Sequence, residues 1–113
     1  MGVTRTELFT EPQNELAEIA KVIGHPARVA IIEHLLKADT CICGDLVEAI
    51  GLAQPTISQH LRALKNIGLI QGAIEGTKVC YCINSVNWIR FRQLFDNFFR
   101  ALPYNNGHGC RLQ

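Results

Sequence analysis

From about Pro12 the apolar residues Leu16, Ile19, Ala20 and Ile23 recur at helical spacing, with Glu15 and Glu18 on the early turns and Gly24 as a stop. His25-Pro26 breaks the chain, and Pro26 suits the first turn of a second helix. That helix runs to about Lys37 and is expected to bury Val29, Ile32 and Leu36, with Ile31 and Leu35 alongside. Thr40-Cys41-Ile42-Cys43 is too short for a helix and reads as a brief strand. A short apolar helix over residues 44–50, a turn at Gly51, and a helix opened by Gln54-Pro55 and closed near Gly68 follow the grammar of a helix-turn-helix. Within the last of these, Ile57, Leu61 and Leu64 stand at i, i+4 and i+7 and face the core. Two β-rich runs then meet at Glu75-Gly76, a hairpin signal. Ser85 reads as the N-cap of a last helix that ends near Ala101, before Pro103. A helix-turn-helix followed directly by a hairpin is a winged helix. The expected fold is therefore mainly α with a small β-wing: a flexible N-terminus over 1–11, a winged helix-turn-helix DNA-binding domain over 12–102, and a flexible tail over 103–113.

At 113 residues the chain has room for one domain with a small core. Its 48% hydrophobic and 19% charged residues are those of a compact fold rather than a disordered chain. No apolar run reaches the roughly 18 residues that would span a bilayer. The start MGVTRTELFTEPQ lacks the apolar core of a signal peptide, so the expected location is cytoplasmic. A net charge of +1 is unpromising for a DNA binder, but its distribution matters more. No acidic residue occurs between Glu48 and Glu75, whereas His60, Arg62 and Lys65 fall in that span and Lys78 follows it. Gln54, Ser58, Arg62 and Lys65 line the helix face opposite the apolar one, flanked by Thr56 and Gln59. Arg suits guanine edges or phosphate, Gln suits adenine, and hydroxyls suit phosphate oxygens. Gln54, Thr56, Ser58 and Gln59 are assigned to groove contact, and Arg62, Lys65 and Lys78 to the DNA backbone. His60 fits either a phosphate contact or a buried, hydrogen-bonded histidine.

The last helix carries one stripe of Phe91, Leu94, Phe95, Phe98 and Leu102, widened by Trp88 and Phe99. A small core with a wing does not need so much aromatic area at one end, which points to a second copy of the chain. The expected homodimer interface comprises Leu16, Ile19, Phe91, Leu94, Phe95 and Phe98. Five cysteines in a chain without an export signal are more often buried, metal-bound or reactive than structural disulfides. Cys41 and Cys43 lie two apart on one predicted strand, and Cys80 and Cys82 two apart on another, so each pair leaves a single strand face. No Ser/His/Asp arrangement, paired carboxylates or phosphate-cradling Gly loop is visible, and no catalytic residue is assigned; an enzyme is not expected.

From about Leu16 to Phe99 the chain resembles the bacterial ArsR/SmtB family of small winged-helix repressors. The match is carried by Lys21-Val22-Ile23-Gly24-His25-Pro26-Ala27-Arg28, Gly44-Asp45-Leu46, Gln54-Pro55-Thr56-Ile57-Ser58-Gln59-His60-Leu61, and Gly68-Leu69-Ile70. The resemblance implies a homodimer built from the first and last helices, binding a palindromic operator on double-stranded DNA and released by an effector. It also implies that the strand before the helix-turn-helix pairs with the second wing strand, at about 4.8 Å. Cys41, Cys43, Cys80 and Cys82 then come close enough to collect a thiophilic metal or metalloid, or to form disulfides. Zinc or cadmium takes four thiolates, and trivalent arsenic or antimony needs three. The family's own sites do not transfer directly. Anchored on Gly44-Asp45-Leu46, its first helix cysteine falls at Ile42, and residues 86–102 hold no histidine and only Asp96 for its Asp/His site. Cys110 with His108 could lend a further ligand. The expected function is a sequence-specific repressor derepressed by arsenite-, zinc- or cadmium-type ions at the cysteine cluster. The alternatives are a thiol-redox or sulfide sensor, a repressor with no small-molecule effector, inert cysteine packing, and a metal-sequestering module without operator binding.

Overall fold

The computed structural model describes residues 6–38, 40–42, 44–75 and 78–102. Thr6–Leu8 form a single 3-10 turn, and α1 (Glu11–Ile23) follows, one residue ahead of the expected Pro12. A capping box starts it: the Gln13 amide donates to the Thr10 hydroxyl at 3.2 Å, and the Thr10 amide donates to the Gln13 side chain at 2.9 Å. The helix stops at Gly24. At the next start the Ala27 amide donates to His25 Nδ1 at 3.0 Å, which caps α2 (Pro26–Lys37).

The buried face of α2 differs from the expected one. Ile31, Ile32 and Leu35 are in the core, whereas Val29 and Leu36 are 40% and 46% exposed. All five positions are apolar, so periodicity alone could not choose the face; the contacts of α2 with α3, α4 and the wing do.

Gly44 at φ +86° delays α3 to Leu46–Ile50, two residues later than predicted. Asp45 makes no side-chain cap bond there; its carboxylate stands 3.6 Å from His34 Nε2, too far for a hydrogen bond. Gly51 then turns the chain into α4 (Gln54–Asn66), which has the predicted bounds. The exit from α4 is a Schellman motif: the Leu69 amide reaches the Leu64 carbonyl at 3.1 Å and the Gly68 amide reaches that of Lys65 at 2.9 Å. Gly68 sits at φ +84°, and a Cβ there would lie 2.7 Å from Asn87 Nδ2, which donates to the Gly68 carbonyl at 2.9 Å. Glycine is thus required twice, for the left-handed turn and for the approach of the last helix.

The wing is an antiparallel pair, β1 (Ile70–Glu75) and β2 (Lys78–Ile83), in a register running from Ile70 opposite Ile83 to Glu75 opposite Lys78. Of the strand expected over Thr40–Cys43, the described residues show one bridge, at Ile42. Ile42 and Tyr81 exchange both backbone bonds at 2.8 Å, so the segment entering the helix-turn-helix lies on the outer edge of β2 as expected. Asn84, not Ser85, caps α5 (Ser85–Phe99), accepting from the Asn87 amide at 3.1 Å. An Arg90–Glu15 pair with two contacts of 2.8 Å fastens α5 to α1.

The core is centred on Ile31, Ile57, Leu64, Leu69 and Ile70, each 2% exposed or less, and the flanking helices close it with Ile19 and Phe91. These last two were expected at an intermolecular face. Each is instead used inside its own protomer, because the inner sides of α1 and α5 are needed to seal the core. Among the described residues no helix is long and apolar enough to cross a membrane.

Candidate nucleic-acid interface and thiol pocket

α4 presents the polar face that its sequence predicts. Gln54, Thr56, Gln59, Arg62 and Lys65 are exposed, Ser58 is half-buried, and Ile57, Leu61 and Leu64 point inward. Gln54 Nε2 donates to the Ser58 hydroxyl at 3.0 Å, which orients two polar groups at the helix start. No side chain caps that start and no acidic residue stands in the first turn, so its free N–H groups and dipole are left for an anion. Lys65 Nζ lies 3.4 Å from where a Cβ of Gly72 would be, so the bare glycine lets the ammonium rest on β1. Helix and wing therefore share one cationic edge. The backbone of Lys78 opens β2, opposite Glu75.

His60 does not belong to that surface. It is 8% exposed and faces α2, where Arg28 Nε donates to its Nδ1 at 3.1 Å and the His25 ring lies 4.5 Å away, centroid to centroid. Arg28 Nη1 also donates to the Val22 carbonyl at 3.0 Å, at the C-terminal end of α1. One guanidinium thereby ties α1, α2 and α4 together. Sequence reasoning missed Arg28 as a positioning residue. The available signal was a lone cation entering an apolar helix directly after a His-Pro start.

Burial, and then the neighbouring His25 and Arg28, hold the His60 pKa below its ordinary 6.5. The unfolded chain thus binds the His60 proton more readily than the folded one. This contribution to stability is complete above pH 6.5 and declines as the pH falls below it. Urea midpoints at pH 7.5 and 5.5 are expected to show that loss in the wild type, and a smaller loss in His60→Gln. An equal pH dependence in both proteins would remove His60 as the cause.

The cysteines divide into two groups. Cys80 is fully buried and disulfide-bonded. Cys82 is a half-buried free thiol that accepts from Gln71 Nε2 at 3.7 Å. Cys41, also half-buried, shares with Cys82 a pocket of about 320 Å³ walled by Leu35, Leu36, Ala38 and Ile83. Cys43 lies outside the described residues, as do His108 and Cys110. Among the described residues no three His, Cys, Asp or Glu side chains are grouped to hold a metal ion. The expected cluster of Cys41, Cys43, Cys80 and Cys82 thus has one member outside the described residues, and the Cys80 sulfur is committed to a disulfide.

On the far side of the molecule, α1 and α5 leave an apolar groove of about 780 Å³ lined by Leu16, Ala17, Ala20, Leu94, Phe95 and Phe98. Phe98 is 58% and Phe99 69% exposed.

The family model described as bacterial regulatory protein, arsR family, matches residues 25–71, from the cap of α2 into β1. The chain is 36% identical over 64 residues to the HTH-type transcriptional repressor SmtB of Mycobacterium tuberculosis, covering 57% of this chain and 47% of that protein. It thus spans about half the length of that relative. An HTH-type transcriptional regulator of Methanocaldococcus jannaschii is 36% identical over 74 residues, covering 65% of this chain and 82% of the relative. In structure, the chain is similar to the homodimeric winged helix-turn-helix DNA-binding domain of Mb0332 from Mycobacterium bovis. The TM-score is 0.64 at 23% identity, over 96% of this chain and 98% of that one, and the likeness establishes the winged-helix fold. With the family model matched from the cap of α2 into β1 and a relative matched over most of its length, the chain belongs to the ArsR family of bacterial regulatory proteins.

Proposed function

We propose that this chain is a homodimeric, sequence-specific transcriptional repressor that binds double-stranded operator DNA in the cytoplasm. The observation that carries the reading is the exposed polar face of α4, placed beside the Lys65-covered wing in a stretch without acidic residues. In this reading Gln54, Thr56, Ser58 and Gln59 enter the major groove, while Arg62, Lys65 and Lys78 hold phosphates. The groove formed by Leu16, Leu94, Phe95 and Phe98 receives the same surface of a second copy, which sets two reading helices on one face of the duplex.

The effector in this reading is a thiophilic metalloid or metal at the cysteines beside the wing. It is supported by Cys41 and Cys82 sharing one pocket and by the single Ile42–Tyr81 bridge. That bridge is the point where the segment entering α3 meets the wing, so a ligand drawn in there shifts the reading helix against it. The Cys80 disulfide favours a second reading, in which thiol oxidation is the signal.

Fluorescence anisotropy with DNA flanking the chain's own gene tests the repressor reading. Specific binding is expected to exceed binding to random duplex by about 10³-fold or more and to weaken steeply with salt. Arg62→Ala is expected to lower the slope of log affinity against log salt by about one contact. Equal affinity for operator and random DNA would sink the repressor reading.

A further inference from the structure

We propose that His25, Arg28 and His60 form a proton-operated latch on α4, and that acid opens it and releases operator DNA. The inference goes beyond the repressor reading and rests on it only for the consequence at DNA. Its chemistry starts from two groups that can donate but not accept. A guanidinium N–H offers no lone pair, so Arg28 Nε can only donate to His60 Nδ1, at 3.1 Å. The backbone amide of Ala27 likewise donates to His25 Nδ1, at 3.0 Å. Each Nδ1 is therefore bare, and each ring is the neutral tautomer with its proton on Nε2. A second proton on either ring costs one of these bonds. At His25 the bond lost is the cap of α2, and at His60 it is a side-chain tie between α2 and α4.

The surroundings decide what the proton on His60 does. His60 is 8% exposed in the middle of α4, and the His25 ring 4.5 Å from it belongs to an exposed residue. The titratable groups that act on it are His25 and Arg28, both basic. Among the described residues no carboxylate of α1, α3 or β1 forms an ion pair with it, and α4 itself contains none. An imidazolium formed here is a covered cation facing a second cation, with a donor pointing at a donor. Arg28 Nη1 keeps the Val22 carbonyl, at 3.0 Å, so α1 and α2 stay joined. The contact that gives way is the one to α4. In the proposed repressor, a reading helix that shifts against the helices behind it loses the fixed placement that base contacts need. It does not lose the charge that phosphates need, because protonation adds a cation.

The test is a pH series on the full chain, with DNA flanking its own gene and with random duplex, at fixed ionic strength. Between pH 7.5 and 5.5, affinity for operator is expected to fall about 5–100-fold, with one proton setting a ceiling of about tenfold per pH unit. Affinity for random duplex is expected not to fall. His60→Asn places an amide oxygen near the position of Nδ1, keeps an acceptor for Arg28 and has no proton to gain, so its preference for operator should stay constant. Nitrogen NMR of the unaltered chain gives a readout independent of any variant. At pH 7.5 His60 should show a bare Nδ1, and the Arg28 Nε–H resonance should lose its hydrogen-bonded shift as His60 titrates, below pH 6.5. A protonated Nδ1 at pH 7.5, an Arg28 resonance that holds its shift through the titration, operator affinity unchanged at pH 5.5, or an equal fall in His60→Asn would overturn the proposal. If the chain does not distinguish operator from random duplex at pH 7.5 while the nitrogen spectra behave as described, the repressor reading fails and the latch itself stands.

Discussion

Phe98→Glu is expected to give a folded monomer whose operator affinity is lower by about 10²–10⁴-fold, the loss that follows when two linked binding modules become one. Phe98 is 58% exposed and outside the protomer core, so the substitution leaves Ile57, Leu64 and Leu69 packed. In the proposed dimer the same side chain enters the apolar groove between α1 and α5, where two copies would bury two carboxylates without partners. Sedimentation velocity reports the oligomeric state, circular dichroism the fold, and anisotropy the affinity. A Phe98→Glu protein that sediments as a dimer and binds operator normally would remove this face from the interface. A loss of helix signal would show instead that Phe98 is needed by the single chain.

Leu64→Ala is expected to have the largest effect on stability. The side chain is fully buried at the centre of the core, and truncating such a leucine costs about 2–5 kcal/mol. For a domain of this size that is a large part of the total. Leu36→Ala provides the internal contrast. At 46% exposure it is expected to cost about 1 kcal/mol or less. Urea unfolding of both variants at one protein concentration separates the two values, the fixed concentration being needed because association adds to apparent stability. Comparable losses at the two positions would contradict the burial of Leu64 and the exposure of Leu36.

The contrast between Leu64 and Leu36 also shows what was legible in the sequence. In α4 the apolar residues recur at helical spacing opposite polar ones, so its bounds, its buried face and its exposed polar face could all be read from spacing. α2 is apolar almost all round, and the choice between its faces is made by neighbours distant in the chain. The wing and its partner segment were legible as elements. The partner segment shows its bridge at Ile42, and the positive φ of Gly44 turns the chain soon after it. What a single chain leaves outside its core was half legible: a stripe shows that a helix has an apolar side, but not how much of it the chain keeps. Ile19 and Phe91 were kept, and Phe98 was left outside.

The thiol site shows the same limit. Spacing and the expected strand pairing allowed either a shared ion or disulfides, but could not say which sulfur would be spent, as that of Cys80 is. His60 shows the reverse case. The sequence left two environments open, and a cation thirty-two residues earlier selected the inner one.

Arg28 carries a further consequence for how a paired chain would measure DNA. By holding the end of α1, the start of α2 and the middle of α4 with one planar group, it would let each half of the proposed dimer move as one arm. Two such arms meeting at α1 and α5, as proposed, would form a caliper of fixed span. Each added base pair between half-sites moves one of them by about 3.4 Å and rotates it by roughly a tenth of a turn. The length of the spacer, which no side chain touches, would thereby become part of what the proposed repressor recognises.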